Sequence, residues 1–363
     1  MPHIVVIGAG VIGLSSALRI LSEGHAVTII ARDFPSSFET IDATAQINFT
    51  SPWGGAHNRL VPPSDPAAAR EHRMALKTFA HMRALHARHP EAGITFMKGV
   101  EYIEAPDATY RALTAERARA ELGMEGFRLL AEDELPEGVT WGCEYDTWCV
   151  NPMVYCTFML RRFAFHGGKI LKRDVRDPAE VFGMRDLAAP VDALINASGN
   201  GFGDPNVFIT RGQTCLVSNT CPATVTRQNA DGSWTFCVPR NFEGGTIIGG
   251  TKEPDNWDPN PSLEVRERLL SSFAATYPQI LDSQGGKYTV MKDIVGRRPT
   301  RRGGLRLETE ITAGKNCIIH AYGLGGRGYE LSWGVAEGVA ELLGAQLGAG
   351  TSSSTTQRRE SKL

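Results

Sequence analysis

The sequence predicts an α/β protein, α+β overall, in which a nucleotide-binding domain on a parallel sheet is interleaved with an antiparallel β-rich domain. Three observations carry this. Near the N-terminus a strand at 3–7 is followed by a glycine turn and a helix at 14–23. Near the other end a strand at 317–320 enters a second glycine turn and a helix at 331–347. Between them, residues 208–251 read as short strands and turns.

Each element has its own signal. His3-Ile4-Val5-Val6-Ile7 is a short β-branched run. Leu14, Ala17, Leu18 and Leu21 then share one helical face, and Gly24 marks the stop. Residues 26–30 complete a βαβ unit. Residues 66–89 form a charged, Ala-rich helix ended by Pro90, and 152–165 form another stopped by Gly167-Gly168. A buried strand at 191–197 ends in Ser198-Gly199, Asp231-Gly232 marks a hairpin, and 263–277 is helical. On this reading the nucleotide domain is assembled from 1–60, 140–205 and 285–347. The second domain takes 61–139 and 206–284, and the Gly/Ser/Thr-rich stretch 348–363 is a flexible tail.

Composition excludes several classes. A length of 363 residues suggests about two domains. The 42% hydrophobic and 21% charged residues are ordinary for a soluble globular enzyme. A net charge of −2 gives no reason to expect nucleic acid or an anionic membrane as partner. No apolar run approaches the roughly 18 residues of a spanning helix, and no basic leader precedes the first strand. Seven cysteines in no CxxC or zinc spacing argue against a complete disulfide framework and for no metal. Ser361-Lys362-Leu363 reads as the address recognised by the peroxisomal import receptor, so the expected compartment is the peroxisomal matrix.

Gly8-x-Gly10-x-x-Gly13 lies directly between strand and helix, as a Rossmann-type dinucleotide site requires. The first glycine makes the turn, the second admits the pyrophosphate, the third lets helix and strand pack, and the helix N-terminus faces the phosphates. Gly8, Ala9, Gly10, Val11, Ile12 and Gly13 are therefore cofactor-binding candidates. Asp33, about 20 residues past Gly13, is the candidate for the ribose hydroxyls, with Arg32 beside the adenosine phosphates. This motif leaves FAD and NAD(P) both open.

The second glycine turn separates them. Ile318-Ile319-His320-Ala321-Tyr322-Gly323-Leu324-Gly325-Gly326-Arg327-Gly328, then five residues and Gly334-Val335-Ala336, resembles the signature of the D-amino-acid oxidase and D-aspartate oxidase family at every fixed position. Thr50-Ser51-Pro52-Trp53-Gly54-Gly55-Ala56, Thr210-Arg211-Gly212-Gln213-Thr214, Gly249-Gly250-Thr251 and Val295-Gly296-Arg297-Arg298-Pro299-Thr300-Arg301 also resemble its fungal members. The resemblance covers residues 3–346. It implies non-covalent FAD, a D-amino acid over the flavin, and a homo-oligomer. It also implies cofactor contacts at Gln46, Gly54, Gly55, Val175, Ser198, Gly199, Gly323, Gly325, Gly326, Gly328 and Tyr329. Arg298 stands where the family's arginine clamps the substrate α-carboxylate through a planar fork, touching the cofactor as well. The implied reaction is hydride transfer from Cα to flavin, giving a 2-oxo acid and ammonia, with O₂ returning H₂O₂.

Departures from the family bear on the substrate. Members acting on neutral D-amino acids carry a tyrosine where this chain has Phe236, and another in the stretch corresponding to 218–222, which has none. With Arg298 and Gly326, His57 and Phe236 complete the expected catalytic set. His57, Arg59 and Arg240 are the candidates to hold a side-chain carboxylate as cations, and fungal D-aspartate oxidases resemble this chain in the histidine. The expected substrates are thus acidic D-amino acids. A broad oxidase of neutral D-amino acids is the alternative within the family, and an NAD(P)-dependent dehydrogenase the one outside it.

Overall fold

The computed structural model describes residues 1–36, 42 and 46–360, with 349–360 as backbone only. Six strands form the first sheet, in the order Arg306–Ile311, Cys317–Tyr322, Ala193–Asn196, His3–Ile7, Ala26–Ala31 and Lys169–Lys172. Its pairs are parallel except the one between Arg306–Ile311 and Cys317–Tyr322. Successive residues of a strand face opposite sides, and here both sides are covered. Ile4 and Val6 join an apolar cluster with Leu14, Ala17 and Ile20 of the helix Val11–Ser22, and with Leu331 and Val335 of Gly328–Glu360. Val5 and Ile7 join another, with Leu194, Ile318 and Val181. Each such aliphatic side chain contributes about 1.5–3 kcal/mol on full burial.

The other anticipated helices lie at Pro66–Arg88, Pro152–Phe165 and Leu263–Thr276. Asp65, Asn151 and Ser262 cap them through side-chain oxygens that accept first-turn amides, a role that suits short polar residues. The last helix differs from expectation. It begins at Gly328, three residues before the expected start, and its backbone is helical to Glu360. Ser361, Lys362 and Leu363 lie outside the described residues.

Ten strands make the second sheet. Eight run in the order Glu253–Pro254, Val207–Val217, Thr246–Gly249, Trp234–Pro239, Ala223–Gln228, Ile94–Ile103, Trp141–Val150 and Ala56–His57. Val290–Arg301 pairs with Val207–Val217, and Arg128–Leu129 with Trp141–Val150. The hairpin at Asp231-Gly232 joins Gln228 to its partner Trp234. The sheet curls on itself. Asn241 reaches Cys149 Sγ at 3.6 Å and accepts from Asn151 at 3.2 Å, although two strands separate Trp234–Pro239 from Trp141–Val150.

Domain boundaries move accordingly. Trp141–Val150 and Val290–Arg301, expected in the nucleotide domain, are strands of the second sheet. Helix Pro66–Arg88, expected in the second domain, buries Ala75, Phe79 and Met82 in the cluster that holds Ile4. Local pattern identifies an apolar face without saying what will cover it. Among the described residues no helix is long and apolar enough to cross a membrane, and all seven cysteines are free thiols.

Helices Pro66–Arg88 and Gly328–Glu360 approach closely at Gly334, where a Cβ would stand 2.5 Å from the backbone of Met74. Gly334→Val should destabilise the protein by about 1–3 kcal/mol through overpacking, read as a lower urea midpoint. Gly344→Ala, with open space around it, should leave the midpoint unchanged or raised. Equal midpoints for Gly334→Val and the parent would mean the two helices part freely.

Candidate active site

A cleft of about 380 Å³ opens at the carboxyl ends of His3–Ile7, Ala26–Ala31 and Ala193–Asn196, where open α/β sheets take ligands. Gly8, with φ of +106°, makes the turn that no other residue would make without strain, and a Cβ on it would meet Ala197 O at 2.4 Å. A Cβ on Gly13 would stand 1.9 Å from Gly8 O, so Gly13 supports the wall from behind. Gly8, Ala9, Gly10, Val11 and Ile12 line the cleft itself. The helix beginning at Val11 leaves its first amides without intrahelical acceptors. Val11 N–H donates to Ser51 Oγ at 3.0 Å, which anchors the loop at 46–51 beside this positive helix end.

The other sequence-derived candidates divide. Arg32, Asp33, Val175, Ser198, Gly199, Gly323, Gly325 and Gly328 line the cleft. Arg32 and Asp33 pair with each other at 2.9 Å. Gln46, Gly54, Gly55, Gly326 and Tyr329, expected as cofactor contacts, are not among the residues that line this cleft. Tyr329 is buried and donates to Ser51 O at 2.8 Å, with Cys156 Sγ 3.1 Å away, so it positions the loop. A Cβ on Gly55 would meet Val238 and Ile247 at 3.3 Å, which marks a packing contact. Gln46 offers its carbonyl to the Trp53 indole at 3.2 Å. The signature's His320 holds the second turn to the first sheet. It contacts Asn196 at 3.2 Å and Glu310 at 3.0 Å, while Asn196 accepts the Ser198 hydroxyl at 2.7 Å.

The structure adds lining residues that sequence reasoning missed, among them Ser51, Arg173, Trp257 and Arg297. Ser51 and Arg297 carried a signal, their places in the Thr50–Ala56 and Val295–Arg301 stretches; Arg173 and Trp257 arrive from segments with none.

Arg298 lies on the opposite face of its strand from Arg297. Its Nη2 donates to Thr251 O at 2.8 Å, and a Cβ on Gly212 would come within 1.9 Å of that same nitrogen. Only glycine at 212 admits the guanidinium there. A Cβ on Gly326 would sit 3.9 Å from the other terminal nitrogen, Nη1. Phe236 packs on Gly249 and Gly250, next to Thr251. Arg298, Phe236 and Gly326 therefore converge around 249–251. Burial lowers the guanidinium pKa below its ordinary value, against the pull of Glu253.

The acidic-substrate candidates behave differently from expectation. Arg59 is not a free cation. It forks onto Glu101 at 3.1 and 2.6 Å and lies over the Trp234 ring at 4.6 Å. Tyr145 OH also donates to Glu101, at 2.6 Å. Burial pushes the Glu101 carboxyl up, but Arg59 and Tyr145 together hold it below its usual range. Arg240 is fully buried and donates through Nη2 to Pro52 O at 3.1 Å and Gly54 O at 3.3 Å, while its Nε has no partner among the described residues. Burial and then the Arg59 charge push His57 down to about 3, with Glu101 opposing. His57 is therefore neutral near pH 7, where a cation was expected, and its buried Nδ1 has no partner. It belongs to the Arg59–Glu101 cluster; no hydrogen bond or ion pair among the described residues joins it to Arg298.

The residues present fit a dinucleotide with a reactive ring at one end. The cleft runs from the acid at Asp33, past a glycine turn and helix N-terminus, to the second glycine turn at Gly323–Gly325. Arg297 Nε stands beside it as a buried donor with no partner.

Comparison with known proteins agrees with this geometry. A family model described as FAD dependent oxidoreductase matches residues 3–342. A D-aspartate oxidase of Talaromyces thermophilus is 42% identical over 94% of this chain and 95% of its own. A D-amino-acid oxidase of Fusarium vanettenii is 30% identical over 94% of this chain and 96% of its own. A glycine oxidase of Bacillus cereus superposes with a TM-score of 0.70 at 17% identity, covering 95% of this chain and 96% of that one, which speaks for the fold.

The neutral, half-buried His57 has a consequence for stability. With its pKa at about 3 in place of 6.5, the folded protein binds fewer protons than the unfolded chain between those values. The contribution is complete above about pH 6.5 and is lost as pH falls, with a limiting slope of about 1.4 kcal/mol per pH unit. His81, pushed down to about 4 chiefly by burial, acts in the same direction. His57→Leu should flatten the fall in urea midpoint between pH 7 and pH 4.5; an unchanged slope would show that His57 is open to solvent.

Proposed function

The chain belongs to the family of FAD-dependent D-amino-acid and D-aspartate oxidases, and from that premise we propose that it oxidatively deaminates D-amino acids with a preference for acidic ones. The observation that carries the reading is Arg298. It is desolvated, fixed by one hydrogen bond to Thr251 O, and set beside Phe236 and the glycine turn at 323–328. A guanidinium so placed binds a carboxylate through its remaining N–H groups and orients the attached Cα. FAD held in the cleft would supply the redox chemistry, as acceptor of the hydride from that Cα and donor of electrons to O₂. Phe236 adds apolar surface that excludes water and offers no hydroxyl to the substrate.

The acidic preference rests on His57 and on the similarity to a D-aspartate oxidase. A neutral imidazole with an unpartnered Nδ1 holds a carboxylate by donating a hydrogen bond. The carboxylate in turn favours the imidazolium, so binding draws in a proton. The apolar Phe236 and the pairing of Arg59 with Glu101 favour the second reading, a broad oxidase of neutral D-amino acids.

Peroxide release from a D-amino-acid panel tests both. D-aspartate and D-glutamate should exceed D-alanine and D-methionine in kcat/KM; the reverse order leaves the neutral reading. Arg298→Ala should lower kcat/KM at least about 100-fold while the protein stays yellow. His57→Leu should reduce turnover of D-aspartate selectively, and equal losses on D-alanine would remove it from substrate binding. Absence of peroxide with every D-amino acid would overturn the oxidase reading itself.

A further inference from the structure

Arg297 and Trp257 meet at the mouth of the cleft, on the face of the second sheet turned away from Arg298. Arg297 Nη2 donates to the Trp257 carbonyl, and its guanidinium lies over the Trp257 ring at 5.3 Å. Its backbone N–H donates to Ile47 O at 3.1 Å, in the loop that also brings Ser51 to the helix N-terminus. The pair is therefore tied to both banks. Arg211 steadies the segment that carries Trp257, donating to Asp258 O at 2.8 Å and pairing with Glu253 at 2.9 Å.

Two features of this pair remain unaccounted for by the fold alone. The three arginines lining the cleft are Arg32, Arg173 and Arg297. Asp33 neutralises the first and Asp186 the second. Among the described residues no carboxylate lies within salt-bridge distance of Arg297, although Asp258 feels its charge from farther away. Its Nε is buried without an acceptor, and a buried, unmade donor is costly. Trp257 is 59% exposed while lining a cleft, a large aromatic left uncovered at a ligand wall.

We propose that Arg297 and Trp257 form a latch over the cofactor's diphosphate, Arg297 supplying the cation and Trp257 the cover. A dinucleotide brings two negative charges to this cleft. The helix N-terminus offers about half a unit of positive charge, which leaves a deficit that the Arg297 guanidinium fills through Nη1. Trp257 then loses its exposure and shields these contacts from water, which strengthens them.

The test uses the FAD-loaded holoenzyme. On dilution, recovery of free-FAD fluorescence should show Arg297→Leu releasing FAD with a dissociation constant at least about tenfold above the parent, as expected for one charge-assisted hydrogen bond. Arg297→Lys should recover part of this, and Trp257→Ala should hasten release where Trp257→Phe does not. ADP, which shares the diphosphate, separates the halves of the cofactor. If Arg297 grips the diphosphate, both ligands weaken together, and the ADP concentration displacing half the FAD stays unchanged in Arg297→Leu. A roughly tenfold fall in that concentration would assign Arg297 to the flavin half and overturn the proposal, as would FAD affinity within twofold of the parent. Should Arg297→Leu fold poorly, Arg297→Gln carries the same two readings.

Discussion

At the end of the first strand, a carbonyl oxygen of Ala197 lies where a side chain on Gly8 would be, and the carbonyl of Gly8 lies where one on Gly13 would be. Three backbone segments are thus in contact with nothing between them. This holds the N-terminus of Val11–Ser22 at the carboxyl edge of the sheet and aims its free amides into the cleft. The other walls are registered against it. Ser51 docks on Val11, Tyr329 docks on Ser51, and His320 with Asn196 fixes the turn that begins at Ser198. The signature residues outside the cleft thereby gain a physical role, because they set the distance between its walls.

The second sheet handles charge in two ways. Arg59 and Glu101 are buried together, forked and joined by Tyr145, so removal of either partner would leave an uncompensated charge. Burial lowers the His57 pKa most, and that pair adds opposed pulls, Arg59 lowering it further while Glu101 raises it. Arg298 is desolvated without a carboxylate at salt-bridge distance among the described residues and keeps a single carbonyl partner. The first arrangement is closed and structural. The second leaves a cation short of acceptors beside a glycine turn, a state that favours a bound anion.

Strand Val290–Arg301 serves both halves of the site. Because side chains alternate along a strand, Arg298 points toward Thr251 and Gly326 while Arg297 points toward Trp257 and the nucleotide cleft. Adjacent residues thus carry a group that can hold substrate and one that can hold cofactor. Glycine at 212, opposite Gly296, makes the space that Arg298 occupies.

The sequence by itself determined the parallel sheet, its glycine turns, the long helices and the family, because these depend on local periodicity, capping residues and backbone freedom at named positions. It also singled out Arg298 and the glycines that line the cleft. Tertiary structure alone decided which sheet received Trp141–Val150 and Val290–Arg301, since an apolar face does not specify what covers it. It alone committed Arg59 to Glu101 and Arg240 to the Pro52 and Gly54 carbonyls, made His57 neutral, and brought Trp257 and Arg297 to the cleft. Charge, protonation and access depend on what lies within a few ångströms, and in this chain those neighbours come from segments forty or more residues away in sequence.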